Sequence, residues 1–251
     1  MTGAATMELT RRALLQGAAA TVVALAPGVT LLLGPAPSEA RAPGTPVSAK
    51  TRWGLLVDVS RYAEVADTVV EACRTENGWT GHGRPLTDPQ WVRNVTLNDP
   101  RTGAVRTLPV MCQHCEHPPC VDVCPTGASF RRADGVVLVD KHICIGCRYC
   151  MMACPFGVRF FVHENVTGQK PHAPRGKGTV ESCTLCVHRL DAGRRPACVE
   201  AAERKSPGAM IFGDLNDPNS EIARAVGRHV ALRLRADLGL DQGVFYKGLN
   251  G

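Results

Sequence analysis

Cysteine spacing constrains this chain more than any other feature of its sequence. The 251 residues include twelve cysteines. Two compact runs hold most of them, Cys112-x2-Cys115-x4-Cys120-x3-Cys124-Pro125 and Cys144-x2-Cys147-x2-Cys150-x3-Cys154-Pro155. The second run has the bacterial iron–sulfur spacing, in which three thiolates bind one [4Fe–4S] cluster and the fourth binds a neighbouring cluster. Thiolates are soft ligands that select iron–sulfur clusters over metals that prefer oxygen.

Exchange of the fourth ligands divides these two runs into two predicted quartets. The first quartet comprises Cys112, Cys115, Cys120 and Cys154. The second quartet comprises Cys144, Cys147, Cys150 and Cys124. The remaining four cysteines form a third quartet. Three of them belong to a run with a longer gap, Cys183-x2-Cys186-x11-Cys198, and Cys73 is the separate fourth member. The sequence therefore predicts three [4Fe–4S] clusters as cofactors, with all twelve cysteines as iron ligands.

Two other uses of the cysteines stay open at the level of sequence. Disulfides are common in exported proteins, although three-residue steps between most neighbouring cysteines suit them poorly. Structural zinc fits the pair Cys183-x2-Cys186 taken alone.

Other titratable residues near the cysteines are interpreted as accessory groups. Rieske-type ligation needs histidine in place of cysteine, and no cysteine is missing from the runs. We therefore interpret the nearby histidines as supporting or surface residues: His114, His117, His142 and His188. The nearby cations either raise the cluster potential or are solvated surface charges: Lys141, Arg148, Arg159 and Arg189.

Composition and motifs exclude several classes of protein. The net charge of +6 is spread without basic runs, which argues against nucleic-acid binding. A single long apolar segment excludes a polytopic membrane protein. The chain has no G-x-S-x-G, H-E-x-x-H or phosphate-binding loop, so we expect no catalytic residues and a non-catalytic role.

The N-terminal segment resembles a twin-arginine export signal. Arg11-Arg12 precede an alanine-rich apolar run that ends near Leu33, and small residues before Ala42 offer a cleavage site. We predict residues 1–42 as this signal, residues 43–52 as a linker, and a location on the periplasmic face of the inner membrane. The apolar run is about 21 residues long, so an uncleaved helix retained as a membrane anchor is the alternative.

Patterning outside the cysteine runs predicts a few regular elements. Residues 53–59 form a buried strand, and a helix follows that ends near Asn77-Gly78. Residues 91–97 and 104–111 flank turn residues and predict a β-hairpin. A strand at residues 209–212 precedes a helix over residues 221–235, whose apolar stripe is Ile222, Val226, Val230 and Leu234.

These motifs resemble the four-cluster, NrfC/DmsB-like iron–sulfur subunits of bacterial respiratory membrane complexes. The resemblance covers roughly residues 53–214, through LPVMCQHCEHPPCVDVCPTGA, CIGCRYCMMACPFGVR and VESCTLCVHRL. Within that family, the leader and the segment GDLNDPNSEI are most similar to the DsrO type, the periplasmic subunit of a complex linked to dissimilatory sulfite reductase. GDLNDP also occurs among relatives that serve molybdenum enzymes.

The resemblance implies an α+β fold of two bacterial-ferredoxin-like [4Fe–4S] modules with an added β-hairpin and a C-terminal helix. Residues 112–179 would form a module with two clusters, and residues 53–111 with 180–251 a composite module with one. The family has a fourth cluster, and none of its ligand positions is cysteine here. We therefore expect an empty pocket at one end of the chain of clusters, lined by Ala63 (or Tyr62, counted from Asp58), Ala66, Val69 and Ala202.

The resemblance also implies a function. The chain would be an electron-transfer subunit that connects a periplasmic redox partner to an NrfD-like, quinone-interacting integral membrane subunit. A multihaem cytochrome c would belong to the same sulfur-metabolism complex, and contact with quinone would be indirect. The alternative is the electron-relay beta subunit of a molybdopterin oxidoreductase.

Overall fold

The computed structural model of the chain describes residues 23–26, 29–31, 41–42 and 44–249. They belong to two units, within residues 1–39 and 40–251, which we describe separately. In this described part of the chain, no helix is both long enough and apolar enough to cross a membrane.

The first unit contains a short pair of antiparallel strands, β1 (Val23–Ala26) and β2 (Val29–Leu31). β-Branched valine and threonine favour strands. Most of the apolar run of residues 13–33 lies outside the described residues, so cleavage or retention of this segment stays a prediction. The twin-arginine pair Arg11-Arg12 lies outside the described residues. In the second unit, residues 44–52 contain neither strand nor helix.

The second unit is a mixture of short strands and helices, as an α+β fold requires. Its strands are β3 (Trp53–Asp58), β4 (Val92–Asn98), β5 (Val105–Met111), β6 (Ser129–Arg131), β7 (Val137–Val139), β8 (Phe160–Phe161), β9 (Val180–Glu181), β10 (Met210–Asp214), β11 (Ala231–Leu232) and β12 (Val244–Lys247). Its helices are α1 (Val59–Tyr62), α2 (Ala66–Asn77), α3 (Pro119–Asp122), α4 (Tyr149–Ala153), α5 (Val187–Asp191), α6 (Ala197–Lys205) and α7 (Glu221–Arg228), with a 3-10 turn at Ala236–Leu238.

A four-stranded sheet of order β10-β3-β12-β11 organises this unit. Strand β3 is antiparallel to β10 and parallel to β12. Because side chains alternate along a strand, β3 contributes to both faces of the sheet. Leu56 packs with Ile222 of α7 on one face, whereas Leu55 and Val57 join the main core on the other. Burial of each such side chain contributes about 1.5–3 kcal/mol.

The predicted β-hairpin is present as β4 and β5. The two strands pair from Val92 opposite Met111 to Asn98 opposite Val105. The Asp99 carboxylate accepts a hydrogen bond from the backbone N–H of Arg101 and so stabilises the turn. Strand β5 ends immediately before the first cysteine run, so the hairpin anchors the start of that run.

The C-terminal helix is shorter than the apolar stripe predicts. Helix α7 ends at Arg228, and His229 already has an extended backbone. Ala231 and Leu232 then pair with β12, and Val230 is 78% exposed. Pairing with a distant strand therefore overrides the local helical periodicity, and the prediction of a helix to residue 235 was wrong.

Candidate functional site

The first predicted quartet lines a single cavity. Its four sulfur-bearing side chains are Cys112, Cys115, Cys120 and Cys154. The last of these is the C-cap of α4, in the other cysteine run. Apolar side chains complete much of the wall, among them Val137, Phe156 and Val158. The arrangement gives four converging thiols in apolar surroundings.

The second predicted quartet lines another cavity, formed by Cys124, Cys144, Cys147 and Cys150. Cys124 follows α3 and belongs to the first run in sequence. Each run therefore sends its last cysteine to the cavity of the other run, which is the exchange that the spacing predicts.

The members of the third predicted quartet come together in the interior of the second unit. All four are buried: Cys73, Cys183, Cys186 and Cys198. Helix α2 carries the first and α6 the last. The Asn77 amide nitrogen lies 3.6 Å from the sulfur of Cys73 and 4.0 Å from that of Cys186, and so joins the two. The described residues include all twelve cysteines, and none of them forms a disulfide.

The first C-x2-C turn of each of the three cysteine runs shares one unusual backbone feature. In each turn the residue just before the second cysteine has a positive φ: 44° at His114, 70° at Gly146 and 52° at Leu185. Side chains other than glycine rarely adopt this left-handed conformation because it is strained. Because the same conformation occurs at the same position in three turns, we infer that the three turns enclose bound groups of the same kind.

Hydrogen-bond donors reach the sulfur atoms from nearby elements. The indole nitrogen of Trp79 donates to Cys73 Sγ at 3.4 Å, and the backbone N–H of Ser129 donates to Cys124 Sγ at 3.3 Å. Hydrogen bonds to cluster sulfur ligands raise cluster potentials. Sequence reasoning missed Trp79 and Asn77, whose only signal is their position at the end of the helix that carries Cys73.

Burial keeps the bare thiols protonated. Desolvation raises the pKa of Cys73 and of Cys115 to about 12, and it raises the pKa of Cys183 and Cys198 well above the ordinary value. Thiolates at these positions therefore need a strong positive partner, and a metal that binds there displaces protons.

Arg159 provides the clearest test of whether these sites fit a negatively charged cluster. Its side chain is buried, lines the first cavity and has no hydrogen-bond partner on any guanidinium nitrogen in the described structure. Burial acts to lower the pKa of Arg159, but nearby cysteines, chiefly Cys120 and Cys112, outweigh it in their thiolate form and raise the pKa. A buried cation without a counter-charge costs several kcal/mol. An iron–sulfur cluster with four thiolates carries net negative charge, so the residues present fit it.

The remaining accessory residues have structural partners. His114 is buried, and its Nδ1 accepts a hydrogen bond from the backbone N–H of Val137; burial lowers its pKa to about 3, so the imidazole is neutral. Glu76 accepts hydrogen bonds from His188 and Arg189. His117 and His142 are exposed. The histidines therefore lie outside the three quartets.

Comparison with known proteins gives the family. A model described as 4Fe-4S dicluster domain matches residues 103–215. The chain is 39% identical over 267 aligned residues to the Hdr-like menaquinol oxidoreductase iron-sulfur subunit 1 of Archaeoglobus fulgidus, covering 95% of this chain and 97% of the relative. It belongs to the NrfC/DmsB-like family of iron–sulfur subunits.

Other members of the NrfC/DmsB-like family are also similar to this chain. A tetrathionate reductase subunit of Salmonella typhimurium is 38% identical over 226 residues, which cover 85% of this chain and 80% of the relative. Protein NrfC of Escherichia coli K12 is 48% identical over 130 residues, about half of each chain. Family membership makes this chain a 4Fe–4S, electron-transferring subunit of an oxidoreductase complex.

The position predicted for an empty fourth cluster site is part of the hydrophobic core. Ala63 is exposed and does not line the interior. Tyr62 and Val65 are fully buried instead, together with Val69 and Ala202. The segment is helical through α1 and α2 and contains no left-handed residue before Gly78. Packed side chains thus occupy the place where we expected an empty pocket.

Proposed function

We propose that this chain is an electron-transfer subunit that holds three [4Fe–4S] clusters, one on each predicted quartet. Three C-x2-C turns, each with a left-handed residue before its second cysteine and each completed to a quartet by two further thiols, carry this proposal. Each cluster would accept and release one electron at a time. The chain's own residues hold the clusters apart from water, supply hydrogen bonds to sulfur and place Arg159 beside the thiolates.

Iron analysis tests the number of clusters. We expect about twelve iron atoms per chain in the anaerobically purified protein, and an EPR signal from reduced [4Fe–4S] clusters. Cys147→Ser removes one ligand of the second quartet, so iron content should fall by about a third and stability should drop. Val230→Ser alters an exposed residue far from any cysteine in sequence and serves as the control. About eight or sixteen irons in the unaltered chain, or bound zinc, would overturn the proposal.

The complex that this subunit serves is the second part of the proposal. We infer a DsrO-type role, in which the chain connects a periplasmic redox partner, including a multihaem cytochrome c, to an NrfD-like membrane subunit. The leader and the GDLNDPNSEI segment support this role, and the similarity to a menaquinol oxidoreductase subunit agrees with a quinone-linked complex. Co-purification of the tagged chain with an NrfD-like protein and a haem protein supports the role, and their absence from the intact complex would contradict it.

A molybdopterin oxidoreductase is the second candidate complex. It is favoured by similarity to the tetrathionate reductase subunit and, at 41% identity, to an iron-sulfur subunit of Halobacterium salinarum that is named for dimethyl sulfoxide reductase. Molybdenum that co-purifies stoichiometrically with the chain would decide for this candidate.

We propose that the twin-arginine pathway exports this subunit to the periplasmic face of the inner membrane. Replacement of Arg11 and Arg12 by lysine should leave the protein in the cytoplasmic fraction with its iron still bound, because this type of signal exports folded proteins. Unchanged fractionation of the doubly substituted chain would contradict the proposed location.

A further inference from the structure

One cysteine of the twelve is open to solvent. Cys147 of the second quartet is exposed, three others are half-buried and the remaining eight are buried. Two of the half-buried cysteines, Cys124 and Cys144, belong to the same quartet. The second quartet is therefore the most accessible of the three sites to another molecule.

An apolar collar surrounds this quartet. We define the collar as the exposed hydrophobic residues that adjoin its ligands in sequence or lie one position further: Val123, Ile143, Ile145, Tyr149 and Met152. Ile145 is 67% exposed and Met152 is 82% exposed. Ile145 also lines the same cavity as the four thiols. Large apolar side chains concentrated at one exposed place mark a surface that another molecule covers.

The rim of the collar is positively charged. Arg148 is exposed, stacks over the Phe161 ring at 3.9 Å and has no ion pair among the described residues. Lys177 is exposed and likewise has no ion pair with a described residue. Its loop packs against the second quartet, because a Cβ placed on Gly146 would meet the Gly178 carbonyl oxygen at 2.1 Å.

Negative charge on this surface is sparse. Asp122 is the single exposed carboxylate within residues 119–153, all of which are described. Two copies of this surface would bring their unpaired cations together, which disfavours self-association through the collar. A partner with carboxylates around an apolar centre would complement both the collar and its rim.

We propose that the collar is the docking surface through which electrons enter or leave the chain, and that its occupant is a redox protein with an acidic rim around an apolar patch. This inference rests on the proposed function, since it assigns a partner surface to one of the proposed clusters. The exposed second quartet brings its cluster nearest to that partner. The third quartet is fully buried, and the first is buried except for the half-buried Cys154.

Variants of the full-length, tagged chain in its native complex test this proposal. Ile145→Glu and Met152→Glu place a charge in the collar, and Val230→Glu places the same charge at a residue that is 78% exposed elsewhere. The complex is reduced with dithionite and then mixed with the oxidised subunits that accept its electrons. The clusters regain their absorbance as they are reoxidised, and the rate of this recovery gives the rate of electron transfer. We expect each collar variant to slow transfer about tenfold or more, as for residues central to an interface, and Val230→Glu to leave it unchanged.

A charge reversal outside the cysteine run keeps the test independent of cluster loss. Lys177→Glu should slow transfer at low salt, with a smaller effect at high salt because ions screen exposed charges. Iron content and EPR spectra are measured for every variant. Equal transfer rates in all variants with full iron content would overturn the docking surface and leave the proposed function standing. Absence of clusters from the unaltered chain would instead refute the proposed function.

Two further outcomes decide against a protein partner. If Ile145→Glu abolishes binding to phosphatidylglycerol–phosphatidylcholine vesicles but leaves electron transfer unchanged, the collar contacts lipid. If it converts a dimer into a monomer and leaves transfer unchanged, the collar is an interface between copies of this chain. Either result overturns the proposed occupant.

Discussion

Replacement of Arg159 by methionine should lower the reduction potentials of the first and second clusters. Arg159 is buried and lines the first cavity, and the thiolates whose charges raise its pKa include Cys120 and Cys112 of the first quartet and Cys150 of the second. Its positive charge favours the addition of an electron to either cluster. Methionine keeps much of the volume and the apolar stem but removes the charge.

The size of the shift follows from the distance between the charge and the clusters. At a separation of about 7 Å and an effective dielectric constant of about 20, two unit charges interact by roughly 2.4 kcal/mol. For a one-electron couple this corresponds to about 100 mV. Arg159→Lys keeps the charge in a buried position and should shift the potentials much less.

An EPR-monitored redox titration measures this effect within a single protein. The third quartet provides an internal reference, because its cysteines are not among the groups that contribute most to the charge environment of Arg159. We expect the potentials of two clusters to fall and that of the third to stay near its original value, with iron content unchanged. A shift below about 20 mV, or an equal shift of all three potentials, would refute the reasoning.

The other predictions concern individual quartets. Gly146→Ala should prevent the second cluster from binding, because the added Cβ would meet the Gly178 carbonyl oxygen at 2.1 Å and the residue has a positive φ. Full iron content in this variant would contradict the proposed backbone geometry around the cluster. Trp79→Phe removes the donor to Cys73 Sγ and should lower one potential by roughly 20–60 mV, equivalent to one hydrogen bond, whereas Trp91→Phe is the control. Reconstitution of the apoprotein should release protons at neutral pH, because thiols such as Cys73, with a pKa of about 12, are protonated until iron binds; a pH-stat that records no release would contradict this assignment.

The cysteine quartets could be predicted because their information is local. The ligands of one turn stand two or three residues apart, and the chemistry of the site fixes that spacing. The exchange of Cys124 and Cys154 between cavities was also predictable, since each follows a short helix that leads away from its own run. The β-hairpin was predictable from turn residues between two apolar segments.

Contacts between distant segments could not be predicted in the same way. Val230 continues the apolar stripe of α7, yet Ala231 and Leu232 leave the helix to pair with β12. A count back from Cys73 placed Ala63 inside, but the helix turns that residue outward and buries Tyr62. Nothing in the sequence shows that Arg159 is buried whereas Arg148 is exposed, because Arg148 lies within the second cysteine run and Arg159 lies shortly after it.

The parallel pairing of β12 with β3 places the last strand of the chain beside its first strand in the sheet. One edge of β3 has no hydrogen-bonded neighbour until Val244–Lys247 have been synthesised. The cysteine ligands of the first two quartets all lie at or before Cys154, but the third needs Cys198. During synthesis, the cysteine ligands of the two central sites are therefore complete while β3 still lacks β12 as its neighbour. Truncation before Val244 would keep all twelve cysteines and still expose this edge of β3, which leaves the protein prone to edge-to-edge aggregation.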